Sequence, residues 1–316
     1  MKDIRLALLV KLLTLALYSS NCAFALDPPP VAAAAGYAIN SFQVSFDESS
    51  VDTTASGQSG FKWYHFNFFG SRADPRAVVL NGDGSVTLKG DRSALNAELA
   101  TAAPAENAAG FIGTAFGGGA YIEADIKFNP DNVAKDGATG WPAWWSLAAE
   151  HLTNREQWAG MAKGFSHFIE VDVMEYDVPS AGKNYYGANL HDWFGIWKVT
   201  CPASFCDAKL PFSKVKIEVP ESAKFSDYHR YGFLWIPATD VIAGRARFYF
   251  DGQPVGREIR WARFGDETGE PWGKPWKFGV LDHQHLVLIL GTGPNAPMTV
   301  RSVSVWQSST GENLQY

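Results

Sequence analysis

One stretch of the sequence places several ionisable side chains on a single candidate strand. Residues 166–176 read Ser-His-Phe-Ile-Glu-Val-Asp-Val-Met-Glu-Tyr, so Glu170, Asp172 and Glu175 fall within six residues. Successive strand side chains point to opposite faces, which puts Glu170 and Asp172 on the same face. Strict alternation would send Glu175 to the apolar face, where an isolated carboxylate is costly. We therefore predict a β-bulge at residues 173–174, which returns Glu175 to the acidic face.

Three carboxyl groups this close cannot all ionise at their ordinary pKa values, so at least one is expected to stay protonated near neutral pH. A carboxylate beside a carboxylic acid suits retaining glycoside hydrolysis, in which the two groups lie about 5–5.5 Å apart. Glu170 and Glu175 are farther apart than that along a strand, so their side chains would have to lean together over a concave face. A solvated strand face that carries acids by chance is the alternative that this stretch alone leaves open.

The rest of the chain has the pattern of short strands separated by glycine-rich turns. Alternation of apolar and polar residues predicts strands at 121–128, 166–176, 214–219, 229–236, 245–250, 286–290 and 298–306. One short helix is predicted at Asn154–Met161, and no longer amphipathic helix is apparent. Many strands without α/β alternation indicate an all-β fold, an antiparallel β-sandwich of the jelly-roll type, in a single domain.

Composition supports this fold class and excludes others. The 316 residues are 46% hydrophobic and only 19% charged, which excludes a globally disordered chain. The 12 Trp, 11 Tyr and 21 Phe, with 30 Gly, favour aromatic-rich strands and turns over helices. A formal net charge of −6 argues against nucleic acid as the main partner.

The N-terminal residues have the pattern of an export signal. Basic side chains precede an apolar stretch at residues 4–18, and Ala23-Phe24-Ala25 fits a small-x-small cleavage site. We predict a secretory signal peptide at residues 1–25, a Pro/Ala-rich arm at 26–40 and one catalytic domain at 41–316. Residues 1–25 carry three basic side chains and one acidic side chain, so cleavage would change the net charge from −6 to −8. The mature protein is expected to be extracellular or periplasmic, monomeric and without membrane attachment.

Cys22 would leave with the signal peptide, so Cys201 and Cys206 would be the remaining cysteines. In an oxidising compartment this pair predicts a disulfide. A zinc site there would need partners at ligand spacing, and the sequence supplies none, so no metal is predicted.

The residues described above resemble a known family. The Glu-x-Asp-x-x-Glu pattern is similar to the active-site strand of glycoside hydrolase family 16, in its bulged, laminarinase-like branch. Further similar segments follow in the family's order and extend the resemblance from Phe42 to Gln307: Tyr121–Lys127, Gly140–Leu147, Asn189–His191, His229–Trp235, Phe248–Gly252 and Val300–Gln307.

The resemblance implies a concanavalin A-like jelly roll with an open cleft on its concave sheet, and endo-hydrolysis with retention of configuration. It assigns Glu170 as the nucleophile and Glu175 as the general acid/base, with Asp172 tuning the pair. It also places His191 near the acid/base, although a purely structural histidine is the alternative. No cofactor is expected. Similar jelly rolls bind structural calcium, so a structural calcium ion is the alternative, although no acidic loop here shows a ligand pattern.

Tryptophans bracket the acidic strand in the sequence and are candidates for sugar binding, because sugar rings stack their apolar faces on aromatic side chains. Trp145 and Trp193 are the preferred platforms. Trp141 and Trp144 complete the predicted set, with core packing as the alternative for each of the four.

The predicted function is a secreted retaining endo-glycosidase that cleaves a β-1,3-glucan, including mixed-linkage β-1,3-1,4-glucan. A galactan-cleaving enzyme similar to agarases, carrageenases or galactanases, a transglycosylase, and a lectin without turnover are the alternatives. The predicted net charge of −8 weighs against a sulfated substrate, which would need basic residues in the cleft.

Overall fold

A computed structural model describes residues 27–66, 68, 74–89, 97–105, 110–133, 140–153, 162–207, 214–262, 277–293 and 296–316. The predicted signal peptide and the predicted helix at Asn154–Met161 lie outside these ranges.

The described residues form strands that we number in chain order. They are β1 (Ile39–Val44), β2 (Tyr64–His65), β3 (Val78–Leu80), β4 (Val86–Leu88), β5 (Ala97–Ala100), β6 (Ala102–Pro104), β7 (Phe111–Gly117), β8 (Ala120–Phe128), β9 (Ala143–Ala148), β10 (Phe165–Glu175), β11 (Tyr185–Ile196), β12 (Cys206–Asp207), β13 (Lys214–Glu218), β14 (His229–Ile236), β15 (Gly244–Phe250), β16 (Gln253–Trp261), β17 (Leu286–Thr292), β18 (Met298–Gln307) and β19 (Glu312–Gln315). The short helices are α1 (Pro30–Ala34) and α2 (Ala149–Leu152), with 3-10 turns at Pro75–Ala77, Pro130–Asn132, Val178–Ser180 and Lys277–His283.

The strands form two antiparallel sheets. The first has the order β16-β15-β14-β8-β18-β4-β3, with β1 also paired to β18. The second has the order β12-β11-β10-β9-β17-β5-β2; in addition, β13 pairs with β11, and β7 pairs with β17, β6 and β19. The fold is an all-β antiparallel sandwich, as the sequence predicts, and each predicted strand is present with ends shifted by at most two residues.

The core lies between the two sheets and is rich in aromatic side chains. Alternate residues of β8, Ile122, Ala124 and Ile126, are fully buried against it. Trp63, Trp144 and Trp235 are among its largest fully buried side chains. Part of the aromatic excess therefore fills the interior of the sandwich, where burial of large apolar area stabilises the fold.

The Pro/Ala-rich segment before β1 packs on the first sheet. Pro30 begins α1, a position at which proline's missing N–H costs no hydrogen bond. Ala32 and Tyr37 are buried against Tyr121, Leu234 and Trp306 on the outer face of that sheet. The Tyr37 hydroxyl donates to the Trp235 carbonyl at 2.8 Å, which fixes the segment to β14.

Candidate active site

The acidic strand β10 lies in the second sheet between β9 and β11, and it contains the predicted bulge. Asp172 faces Asn189 of β11 and Glu175 faces Gly187, so three steps along β10 correspond to two along β11. The pairing with β9 shifts at the same place, between Asp172 and Met174. The bulge at residues 173–174 is therefore confirmed. Val173 and Met174 both enter the core, which leaves Glu175 on the same face as Glu170 and Asp172.

The three carboxyl groups meet at Asp172. Its side chain shares hydrogen bonds with both Glu170 and Glu175, so the two glutamates lean toward the residue between them. Burial raises the pKa of Asp172 well above its ordinary value, and the neighbouring Glu175 raises it further. Because charged carboxylates at this distance repel one another in a poorly solvated site, the cluster retains at least one proton near neutral pH.

Glu170 is held by a tryptophan from the neighbouring strand. The indole N–H of Trp193 on β11 donates to Glu170 Oε2 at 2.7 Å. Burial raises the pKa of Glu170 to about 8, and Asp172 adds to this rise. His191 and the hydrogen bond from Trp193 oppose the rise because they stabilise the charged form.

Glu175 receives hydrogen bonds on both oxygens. Trp141 Nε1 donates to Oε1 at 3.0 Å, and Asn189 Nδ2 donates to Oε2 at 3.1 Å. Asn189 reaches Glu175 because the bulge places the acid opposite Gly187, which is two residues from Asn189 on the same face of β11. These two donors fix the orientation of the carboxyl group without supplying a positive charge.

His191 links the acidic cluster to the end of the sheet. Its Nε2 lies 3.1 Å from Asp172 Oδ2, and its Nδ1 lies 3.1 Å from Asp207 Oδ2. The imidazole also stacks on Trp193, with ring centroids 5.2 Å apart. His191 thus orients both Asp172 and the tryptophan that holds Glu170.

A pocket of about 300 Å³ opens above the cluster. Its floor and walls are formed by Glu98, Gly140, Trp141, Ala143, Trp145, Glu170, Asp172, Glu175, Gly291 and Thr292. Acidic side chains and tryptophans thus share one concave face, an arrangement suited to a ligand with both hydroxyl groups and apolar ring faces.

The four predicted tryptophans lie in two different environments, three at the site and one in the core. Trp141 and Trp145 line the pocket, and Trp193 contacts Glu170. Trp144 requires a correction, because it is fully buried in the core between the sheets and cannot contact a ligand. Adjacent residues of a strand face opposite ways, so Trp144 and Trp145 cannot both reach the cleft.

An aromatic group continues the concave face beyond Trp193. His151 stacks on Phe168 with centroids 3.7 Å apart, and Phe205 packs edge-on against Phe168 at 5.3 Å. Trp197 in turn packs on Phe205 at 5.1 Å and is 52% exposed. Burial lowers the pKa of His151 to about 4, so this histidine is neutral in the cluster.

Two residues with a place at the site were not predicted. Glu98 lines the pocket from β5, and Asp207 of β12 contacts His191. Neither lies near the acidic strand in the sequence, and each reaches the site only through strand pairing. A single Glu within an apolar run, as in Ala97-Glu98-Leu99-Ala100, is the only sequence signal for Glu98.

The predicted disulfide is confirmed. Cys201 and Cys206 are bonded, with Cα atoms 5.3 Å apart, and close the turn that follows β11. Cys206 pairs with Phe194 and Asp207 with Trp193, so the bridge tethers the strand that carries Asp207.

Neither a metal centre nor a spanning helix is found in the described part of the chain. Its His, Cys, Asp and Glu side chains form no group of three suited to hold a metal ion. Its helices are all too short or too polar to cross a membrane.

Comparison with known proteins gives low similarities. No family model and no curated protein matches the chain. An endo-1,3-β-glucanase from Streptomyces sioyaensis is 18% identical with a TM-score of 0.49, over 88% of this chain and 97% of that protein. The globular domain of T. cruzi calreticulin is 11% identical with a TM-score of 0.42, over 85% and 89%. The exoplasmic/lumenal domain of VIP36 bound to Ca²⁺ and Man3GlcNAc is 9% identical with a TM-score of 0.39, over 78% and 84%. All three TM-scores are below 0.5, so these similarities assign no activity.

Proposed function

We propose that the protein is a retaining endo-glycoside hydrolase that cleaves a β-1,3-linked glucan, including mixed-linkage glucan. The observation that carries this proposal is the cluster of Glu170, Asp172 and Glu175 on one concave strand face, each held by hydrogen bonds and facing an open pocket. Retaining hydrolysis needs one carboxylate to attack and one carboxylic acid to donate a proton, and this cluster provides carboxyl groups for both roles.

In the first step, Glu175 donates its proton to the glycosidic oxygen while a carboxylate oxygen of Glu170 attacks the anomeric carbon. The bond from that carbon to the leaving sugar breaks, and a glycosyl ester on Glu170 forms. The hydrogen bond from Trp193 orients Glu170 for this attack and favours its charged form. Burial keeps a proton on Glu170 up to about pH 8, so the attack uses the carboxylate fraction of Glu170, which Trp193 and His191 favour. A proton on Asp172 removes the neighbouring charge that adds to the rise in the pKa of Glu170.

In the second step, the ionised Glu175 takes a proton from a water molecule, whose oxygen attacks the same anomeric carbon. The ester bond to Glu170 breaks and the sugar leaves with its original configuration. Hydrogen bonds from Trp141 and Asn189 hold the carboxyl group of Glu175 in position for this proton transfer. Asp172 and His191, which contact each other at 3.1 Å, act by positioning the two glutamates.

The pocket supports a neutral substrate over a sulfated one. Its described lining contains four carboxyl groups and no lysine or arginine, so it lacks the positive charges that a polyanion needs for binding. Trp141 and Trp145 offer apolar surface to the sugar rings. The β-1,3 linkage follows from the resemblance of the bulged acidic motif to laminarinase-like enzymes.

The proposal extends to processing and location. Cleavage after Ala25 would release a secreted, monomeric protein with one catalytic domain at residues 41–316, and the arm at 26–40 would remain attached. The Cys201–Cys206 disulfide supports an oxidising compartment, because such bonds persist outside the cytosol.

The test is reducing-end release from laminarin, mixed-linkage glucan, agarose, carrageenan and xyloglucan. We expect release from laminarin or mixed-linkage glucan, and a loss of at least 10³-fold in Glu170→Gln and Glu175→Gln. Glu123→Gln is the matched control, because Glu123 is also a buried carboxylate but lies on the outer face of β8, in the other sheet. We expect this variant to keep the activity of the wild type. Release of reducing ends from agarose or carrageenan alone would show that the substrate is a galactan and not a β-1,3-glucan. If the wild type releases no sugar from any polysaccharide, and Glu170→Gln binds sugar as tightly as the wild type does, the protein is a lectin and not a hydrolase.

The stereochemistry needs its own measurement. Early ¹H NMR spectra of the products should show the β-anomer first, since two displacements retain configuration. An α-anomer as the first product would contradict the nucleophilic role of Glu170. New, longer oligosaccharides at high substrate concentration would identify a transglycosylase working through the same ester.

A further inference from the structure

Glu98 and Glu175 stand at the two ends of one row of residues across the second sheet. Glu175 pairs with Ala143 on β9, Ala143 pairs with Gly291 on β17, and Gly291 pairs with Glu98 on β5. Residues directly opposite one another in antiparallel strands point to the same face. Because strands lie about 4.8 Å apart, the two acids are roughly 14 Å apart at their Cα atoms.

The two residues between these acids have almost no side chain. Ala143 and Gly291 therefore leave a flat floor, and both line the pocket. In the next row along, Trp145 faces Asp172 on one side and Ile289 on the other, so its indole flanks this floor. A Cβ added to Gly291 would lie 3.4 Å from Glu98 Cγ and 3.7 Å from Trp145 Nε1, so the absence of a side chain there keeps the space open.

Glu98 is an unusual group to find in this place. It is only 5% exposed, and its described hydrogen bond is the one that Oε2 accepts from the Phe68 N–H at 3.3 Å. Burial raises the pKa of Glu98 to about 7, and the hydrogen bond from Phe68 opposes this rise. A carboxyl group that is costly to bury, and that the proposed chemical steps do not use, needs a compensating role.

We infer that Glu98 accepts hydrogen bonds from the hydroxyl groups of a sugar ring seated over Ala143 and Gly291, next to the bond that is cleaved. The inference rests on the proposed function and adds to it a subsite opposite the acidic strand. The ring would lie on the floor with Trp145 at its side, and Glu98 would close the far end. Glu98 is a substrate-binding residue in this arrangement and takes no part in bond cleavage.

The experiment measures binding separately from catalysis. A β-1,3-linked glucose hexamer is titrated calorimetrically into Glu170→Gln protein, which binds without turnover. To this background we add Glu98→Gln, Glu98→Ala and Gly291→Ala in turn, with Glu123→Gln as the control on the opposite sheet. Glu98→Gln is isosteric and keeps an oxygen for the Phe68 N–H, and Gly291→Ala leaves the Glu98 carboxyl group intact.

We expect Glu98→Ala to raise the Kd for the hexamer by at least tenfold, Glu98→Gln to raise it by a smaller factor, and Glu123→Gln to leave it unchanged. Gly291→Ala should also raise the Kd by at least tenfold, because its methyl group fills the floor. Thermal unfolding of each variant is measured alongside, since a merely structural Glu98 would lower Tm and leave the Kd unchanged.

Kd values within twofold of the background for both Glu98 variants would overturn the inference while leaving the proposed function in place. If the background protein binds no hexamer and the wild type releases no sugar from any polysaccharide, the proposed function and this inference both fail. Should Glu98→Ala not fold, Glu98→Gln and Gly291→Ala decide the question.

Discussion

The indole N–H of Trp193 donates a 2.7 Å hydrogen bond to Oε2 of Glu170 from the strand next to the one that carries this acid. The same ring stacks on His191, which contacts Asp172. Trp193 thus contacts Glu170 directly through its N–H group, and it contacts Asp172 indirectly through the histidine that stacks on its ring. The N–H group lowers the pKa of Glu170, and the ring surface holds the histidine in place.

Replacing Trp193 by Phe separates these two properties. Phenylalanine keeps an aromatic surface for His191 but has no N–H group, so the charged form of Glu170 loses a donor. We expect kcat/KM to fall by about 10- to 100-fold, the effect of removing a hydrogen bond to a charged group. The acidic limb of the pH–rate profile should move to higher pH, because the pKa of Glu170 rises without this hydrogen bond. Trp197→Phe is the control, and an unchanged acidic limb in Trp193→Phe would contradict the role given to the indole.

Burial of Glu170 makes stability depend on pH. Its pKa is raised from 4.5 to about 8, so between these values the folded chain keeps a proton that the unfolded chain releases. The unfolded state then binds fewer protons, and the free energy of unfolding falls as pH rises through this window. Glu170→Gln removes the effect and keeps an oxygen for the Trp193 N–H.

We therefore expect Glu170→Gln to raise the free energy of unfolding by up to about 4 kcal/mol at pH 8 and by little at pH 4. Urea unfolding at the two pH values measures this, with Glu218→Gln, an exposed acid, as the control. A variant that is equally stabilised at both pH values would show that the gain is unrelated to the titration of Glu170. A variant that lacks a proposed catalytic acid is expected to be more stable than the wild type, because a buried charge that function requires lowers the stability of the fold.

The alternation of side chains between the two faces of a strand made much of the site predictable from the sequence. The sequence positions of Glu170, Asp172 and Glu175 by themselves predict a bulge, because a buried carboxylate is unfavourable. The same alternation excludes either Trp144 or Trp145 from the set of sugar-binding residues, since only one of two adjacent tryptophans can face the cleft. Every residue of β9 is buried, however, and the sequence alone does not say which of its faces is the concave one.

The contributions of Glu98 and Asp207 depend on long-range pairing. Glu98 precedes Gly291 by 193 residues in the sequence, and only the β5–β17 register brings them together. Alternation of residues does not predict β11, which carries His191 and Trp193, and only the resemblance of Asn189–His191 indicates a strand there. Local sequence rules cannot identify which strands become neighbours in a sandwich with crossover connections.

The disulfide is expected to act on both stability and activity. Bonding of Cys201 to Cys206 closes a short loop and should contribute about 2 kcal/mol to the free energy of unfolding. Asp207 follows Cys206 directly and contacts His191, so release of the loop should also loosen this histidine.

The Cys201→Ser/Cys206→Ser double variant should therefore lose about 2 kcal/mol in chemical denaturation and a few-fold in kcat/KM. A reducing agent should produce the same two losses in the wild type and neither in the double variant, which serves as the control for unspecific effects of the reductant. Lower stability with unchanged kcat/KM would show that His191 holds its position without the bridge.

The bulge can be tested by removing residues from it. Deleting Met174 alone gives a regular strand in which Glu175 occupies the next outward position after Asp172, so all three acids still face the cleft. Deleting both Val173 and Met174 moves Glu175 to the inward position and should abolish activity, because the acid then points into the core. Met174→Ala keeps the bulge but loses buried side-chain volume, which makes it the matched control for packing.

We expect Met174→Ala and the single deletion each to lose about 2–4 kcal/mol of stability, the cost of removing a buried side chain of this size. The single deletion should retain measurable reducing-end release, within about 100-fold of Met174→Ala, since misplacement of a catalytic group by an ångström costs about that factor. A folded but inactive single deletion beside an active Met174→Ala would show that the bulge itself sets the spacing between Glu170 and Glu175, and that facing the cleft is insufficient.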